Sequence, residues 1–173
     1  YDGMFRQSGI LRAWTIEQLL DWSWALSSLP PMRGDRVCVL SNSGGPAASM
    51  ADSVERAGLR APVISEGLQS RLRSMLPPTA SVVNPVDITY FMDLEAFYGR
   101  VPRLLMRSDE VDGVVMNGIF GSMLFRMVST ALGDRIRYPT EEMAPRVVRL
   151  LEGLKELPRE FGKPLILASF WGR

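Results

Sequence analysis

Residues 36–47 read RVCVLSNSGGPA, and this stretch decides the fold. Its first part, Arg36 to Leu40, is apolar without alternation, which is typical of a parallel strand covered on both faces. A glycine loop follows, and Pro46 stands at a plausible first position of a helix that Gly58 would end. Between them the apolar residues keep helical spacing, at Ala47, Met50, Ala51 and Val54. The stretch therefore predicts a strand, a glycine loop and a helix in succession.

Further strands are predicted along the chain from short apolar runs. They cover residues 61–64, 111–116 and 165–170. Strands that alternate with helices form a parallel sheet, because the helices supply the long crossover connections. We therefore expect an α/β fold in which helices cover both faces of a parallel sheet.

Four further helices are predicted from start signals and periodic apolar residues. They begin after Thr15, Ser65 and Asp93 and at Thr140. Thr15 and Gln18 have the spacing of a capping box. Pro102 predicts a kink or a late restart in the helix after Asp93. The last helix covers residues 140–161, because Gly162 stops it.

Length and composition indicate an ordinary water-soluble protein. The 173 residues favour one domain with an appendage. With 46% apolar and 23% charged residues, the chain falls outside the disordered, collagen-like and disulfide-scaffold classes. The net charge of +1 gives no overall attraction to nucleic acid or to an anionic membrane, and the 18 arginines are scattered. The longest uncharged apolar stretch, 113–125, is too short to span a bilayer.

The chain contains no histidine and a single cysteine, Cys38. This excludes Ser-His and Cys-His catalytic pairs, His-zinc sites, an intrachain disulfide and a Cys-rich metal site within the chain. Cys38 lies inside an apolar run and is predicted to be a buried strand residue. We expect no metal site in the chain.

Two glycine-rich loops are the candidate binding site, because each follows a predicted strand directly. If the strands are neighbours, both loops line one crevice at the carboxyl ends of the sheet. Glycines let the backbone approach an anion, and a helix start offers unpaired N–H groups, so an oxyanion, most plausibly phosphate, is the expected guest. Neither loop matches a nucleotide fingerprint, which favours covalently attached phosphate. Taken singly, each loop could also be only a tight turn. The candidate phosphate-binding residues are Asn42, Ser43, Gly44, Gly45, Asn117, Gly118, Gly121 and Ser122.

A third segment, Asn84-Pro85-Val86-Asp87, contains a carboxylate that could support this site. Asp87 could accept hydrogen bonds from the N–H groups of the loops, or it could cap a turn. We favour a structural role for this residue.

The turn near Gly34 predicts a domain boundary. Both ends of the sequence look cut, and we treat it as a piece of a longer polypeptide.

Several linked motifs resemble the NDP-forming acyl-CoA synthetases, the family of the ADP-forming acetate–CoA ligases, which is related to succinyl-CoA synthetase. They are Phe5 to Ile10, Val39 to Pro46, Ala51-Asp52, Ala57-Gly58-Leu59, Leu76-Pro77-Pro78 and Asn84 to Asp87. The resemblance implies that residues 34–173 form a flavodoxin-like CoA-ligase domain, truncated at its C-terminus. Residues 1–33 would then be the helical tail of a preceding flavodoxin-like domain.

In this family a histidine carries phosphate between an acyl phosphate and the nucleotide, and its motif lies upstream of the Phe5 segment. The resemblance therefore implies no catalytic residue in this chain. Ser43, Gly44 and Gly45 match the loop that opens a helix facing the phosphohistidine. The loop that begins at Asn117 is similar to a family loop with an offset of one residue. Ala47 replaces the family's common glycine, which puts close backbone approach at that position in doubt.

The resemblance also implies the activity and the partners of the whole enzyme. It would make acyl-CoA from a carboxylic acid, CoA and ATP with Mg²⁺, although this chain alone would bind none of these cofactors. CoA-binding and ATP-grasp domains or subunits would be its partners, in an oligomeric cytoplasmic enzyme. Two rivals stay open. One is a degenerate, regulatory ligase-like region of an acetyltransferase-fused homologue, and the other is a non-enzymatic anion-binding or assembly module.

Overall fold

The computed structural model describes residues 1–89, 93–118 and 140–168, with only the backbone described for residues 140–144. In chain order the elements are helices α1 (Asp2–Gln7) and α2 (Ile16–Ser28), strand β1 (Val37–Ser41), helices α3 (Gly44–Arg56) and α4 (Glu66–Arg73), strand β2 (Val86–Asp87), a π-helical turn (Ala96–Arg100) that runs into helix α5 (Val101–Arg107), strand β3 (Gly113–Asn117), helix α6 (Thr140–Phe161) and strand β4 (Leu165–Ala168).

The four strands form one parallel sheet in the order β2-β1-β3-β4. This is the strand order of flavodoxin-like folds, as far as these four strands extend. The expected α/β fold is therefore confirmed. All four strands end at the same level of the sheet. Ser41 pairs with both Asp87 and Asn117, and Asn117 pairs with Ala168. The last residues of all four strands thus form one row.

Both faces of β1 are covered, which explains why its sequence does not alternate. All five of its residues are buried. Cys38 and Leu40 belong to the larger apolar cluster, which includes residues of α4, α5 and α6. Val37 and Val39 point to the other face and pack with Val54 of α3. Cys38 is fully buried, as predicted, and burial raises the pKa of its thiol to about 12.

Helix boundaries follow the local signals closely. The Thr15 and Ser65 hydroxyls accept hydrogen bonds from N–H groups three residues on, at 3.1 and 3.3 Å. Gln18 accepts from Trp14 N–H rather than from Thr15, so the capping box is shifted by one residue. The last helix covers the predicted range. Between Asp93 and α5 the chain forms the π-helical turn, in the segment where Pro102 predicted an irregularity.

Two predictions about boundaries are wrong. Helix α3 begins at Gly44, so Pro46 is its third residue and not its first. Residues 61–64 do not form a strand. Only a single parallel bridge joins Arg60 to Arg36 there, and Pro62 has no N–H group to donate to a ladder. The strand that actually pairs with that edge of β1 is β2.

The Asn84 side chain lies at the edge of β1 beside residues 60–62. Its amide oxygen accepts from Val39 N–H at 3.0 Å. Its amide nitrogen donates to the carbonyls of Val37, at 2.8 Å, and Pro62, at 3.0 Å. One buried side chain therefore supplies the hydrogen bonds that a neighbouring strand would supply.

No residue from 1 to 33 is buried, although the partly buried Met32 packs against the cluster of Val37, Val39 and Val54. Helix α2 instead exposes its large apolar side chains, with Ile16 and Trp24 each 74% exposed. The domain boundary near Gly34 stays a prediction.

Among the described residues, no helix combines the length and the apolar character needed to cross a membrane.

An ion pair joins the amino ends of β1 and β3, and we expect its contribution to disappear in acid. Arg36 donates to both Asp112 oxygens at 2.8 Å and also from its backbone N–H. These hydrogen bonds hold the pKa of Asp112 at about 2. Since that lies below the ordinary value of about 4, the stabilisation is complete above about pH 4 and is lost as the pH falls through the folded-state pKa.

Replacing Asp112 with asparagine should lower the free energy of unfolding at pH 7 by about 1–3 kcal/mol. The loss should shrink towards about pH 2, where the wild-type carboxyl is itself protonated. Thermal melts of both proteins at the two pH values measure this. Asp35→Asn, in the more exposed Asp35–Arg60 pair, is the control and should change stability less. Equal losses at both pH values would contradict the assignment.

Candidate functional site

The candidate site lies at the carboxyl edge of the sheet, where β1 and β3 end side by side. Ser41, Asn42 and Asn117 are buried there, with exposures of 5% or less. Buried polar side chains in this position require partners within the fold or a ligand. The two strands are neighbours, as expected, so the first loop and the described start of the second, Asn117 and Gly118, both lie at this edge.

Hydrogen bonds within the first loop leave two N–H groups free at the start of α3. Ser43 N–H donates to the Ser41 hydroxyl at 3.2 Å, and that hydroxyl donates to the Ser43 carbonyl at 2.9 Å. Ala47 N–H also donates to the Ser43 carbonyl. Within the described parts of the chain, the N–H groups of Gly44 and Gly45 have no acceptor. Two donors and the positive end of a 13-residue helix thus converge at one point.

Gly45 faces open space. A Cβ built on it would meet no atom within 4 Å. Its backbone is helical, so this position does not need glycine's tolerance of positive φ. Any requirement for glycine at position 45 must therefore come from something that approaches the loop. Ala47, the departure from the family pattern, is buried with 3% exposure, so its methyl group points into the fold.

The two loops meet through Asn42 and Gly118. Gly118 has φ +109°, a conformation that favours glycine. A Cβ there would collide with the Asn42 amide. The close approach of these two residues fixes the first loop against the end of β3.

Asn117 and Asp87 complete the described part of the site. The Asn117 amide donates to the Ala168 carbonyl at 3.3 Å and so ties β3 to β4. Asp87 accepts from Thr89 N–H at 2.8 Å rather than from the glycine loop. Its second oxygen lies beside α3, 3.2 Å from where a Cβ on Gly44 would be. Gly121 and Ser122, the other two candidate residues, lie outside the described residues.

No metal site is apparent in the part of the chain that the structure describes, since no three His, Cys, Asp or Glu side chains converge there. Asn84 is the residue whose role the sequence did not indicate. Its partners Val37 and Val39 lie 45 to 47 residues away, and only its position before Pro85 marked it.

The chain matches no protein-family model. Over 112 residues it is 38% identical to the alpha subunit of the ADP-forming acetate–CoA ligase II of Pyrococcus furiosus, an alignment that covers 65% of this chain and 24% of that one. Over 155 residues it is 36% identical to the ADP-forming 4-hydroxybutyrate–CoA ligase of Nitrosopumilus maritimus, covering 89% of this chain and 22% of that one. The chain thus spans about a quarter of the length of these curated relatives.

A solved structure has the same fold. It is the apo form of the dinucleotide forming acetyl-coenzyme A synthetase 1 of Ca. Korarchaeum cryptofilum, with a TM-score of 0.72 and 24% identity over 98% of this chain and 32% of that chain. The same synthetase has also been solved with phosphate and ADP. The motifs that carried the resemblance and these sequence relatives agree, and the chain belongs to the family of ADP-forming acyl-CoA ligases.

Proposed function

We propose that this chain is the phosphate-holding part of an ADP-forming acyl-CoA ligase. The whole enzyme would convert a carboxylic acid, CoA and ATP into acyl-CoA, ADP and phosphate, through an acyl phosphate and a phosphohistidine. The observation that carries the proposal is the pair of free N–H groups of Gly44 and Gly45, at the start of a long helix and at the carboxyl edge of a parallel sheet. Its relatives are named as ADP-forming CoA ligases.

The contribution of the loop would be electrostatic. Two oriented N–H groups and the positive end of α3 stabilise negative charge on a phosphoryl group without reorganising when it arrives. Asn42, packed against Gly118, keeps the loop in place. Asp87 would support the loop by packing beside Gly44, since its hydrogen bond goes to Thr89 N–H. The chain has no histidine, so the residue that carries the phosphate must come from outside it.

Phosphate is expected to bind at the start of α3 and not at the start of α4. At the start of α4 the Glu110 carboxylate accepts from both the N–H and the hydroxyl of Ser65, and the Ser65 hydroxyl accepts from Leu68 N–H. A carboxylate beside the helix start repels a second anion. Crystals soaked in phosphate or sulfate should show an anion within hydrogen-bonding distance of Gly44 and Gly45 N–H. If no anion is found at the start of α3 and the Asp87 carboxylate accepts from these N–H groups instead, the loop is only a tight turn and does not bind phosphate. That result would also favour the non-enzymatic rival.

A further inference from the structure

An arginine-lined pocket lies between α4 and the helical segment that ends in α5, and it shares no residue with the site at α3. Its volume is about 320 Å³. Four arginines line it: Arg71, Arg100, Arg103 and Arg107. In the sequence these residues are part of a scattered set, and only folding brings them together.

Two of the four arginines are held in position by acidic neighbours. Arg100 pairs with Asp93, and Arg103 pairs with Glu160. The Arg103 guanidinium also lies 5.8 Å from the centre of the Phe161 ring. These contacts reduce the freedom of two long side chains before any ligand arrives, which lowers the entropic cost of binding.

The other two arginines have no partner among the described residues. Arg71 and Arg107 are exposed, and within the described part of the chain neither guanidinium group makes an ion pair or a hydrogen bond. Each ends a helix or lies in its last turn, where a basic side chain complements the helix dipole. The helix dipoles explain why each of these two arginines lies where it does. They do not explain why four arginines line the same pocket. After the pairing with Asp93 and Glu160, two positive charges in the pocket stay uncompensated.

We propose that this pocket binds a small anion that carries a diphosphate group. Guanidinium groups form paired, planar hydrogen bonds with phosphate oxygens, and two free charges match two linked phosphates. Leu104 and Met75 give the pocket an apolar part, which would accept the organic portion of a nucleoside diphosphate. Inorganic pyrophosphate has the same charged group without that portion.

Calorimetric titration of the full chain with inorganic pyrophosphate tests the proposal. The double variant Arg71→Gln/Arg107→Gln should bind it about 10-fold or more weakly, because it loses charge-assisted hydrogen bonds. The matched control Arg33→Gln/Arg149→Gln removes the same charge from exposed positions outside the pocket and should bind normally. Orthophosphate should bind more weakly than pyrophosphate. Tighter binding of a nucleoside diphosphate, lost in the double variant, would identify an organic ligand.

Three outcomes would overturn the proposal. They are no saturable binding of pyrophosphate, equal weakening in the control, and tighter binding of a glutamate-rich peptide, which would make the pocket a protein-docking surface. If the double variant fails to melt cooperatively, Arg71→Lys/Arg107→Lys decides the question. It keeps the charge and loses the paired hydrogen bonds, so a site built for phosphate must still lose several-fold in affinity.

Discussion

Replacing Gly45 with valine in the whole enzyme is expected to lower turnover by roughly 10²–10³-fold, about 3–4 kcal/mol, as when an oxyanion-hole donor is removed. The branched side chain would fill the open space beside the free N–H groups, where the phosphate is proposed to lie. Since the backbone at Gly45 is helical and its Cβ position is empty, the fold should accept the change. The steady-state level of phosphohistidine should fall together with the rate.

The chain offers a closely matched control for this variant. Gly67 is the second residue of α4, as Gly45 is of α3, and a Cβ on it would also be tolerated, 3.8 Å from the Ser65 hydroxyl. Gly67→Val should leave both turnover and melting temperature close to wild type. Gly45→Ala should give a smaller loss than Gly45→Val, because it adds only a methyl group. A Gly45→Val enzyme with normal turnover and normal phosphohistidine would show that Gly44-Gly45 is merely a turn.

Asn84→Ala is expected to give the largest loss of stability, about 3–5 kcal/mol. The variant removes three hydrogen bonds and leaves the buried backbone groups of Val37 and Val39 unpaired, at about 1–3 kcal/mol for each unsatisfied group. For a chain of this size the melting temperature should fall by about 10 °C. Calorimetry or circular dichroism during heating measures it.

Gln18→Ala is the control for the loss of an amide. The Gln18 amide makes an exposed hydrogen bond to Trp14 N–H, and water can replace it, so the cost should stay below about 1 kcal/mol. Similar melting temperatures for Asn84→Ala and Gln18→Ala would mean that water reaches the edge of β1. In that case Asn84 would not be a structural substitute for a strand.

The sequence by itself identified three of the four described strands, β1, β3 and β4, and every described helix except α1. Apolar spacing and capping residues act over three or four positions, so helix α6 was predicted over its full range and the cap at Ser65 was recognised. The fully buried strand β1 was also visible, because a strand covered on both faces needs a continuous apolar run.

Only the tertiary structure decided which segments lie beside one another. Strand β2 has two residues, too few for any periodic signal, and yet it pairs with β1, whereas residues 61–64 form no strand. The contact of Asn42 with Gly118 and the gathering of the four pocket arginines join residues from separate segments. Such contacts depend on how whole elements pack. The pattern of neighbouring residues therefore identified the elements but not the partners that each of them would meet.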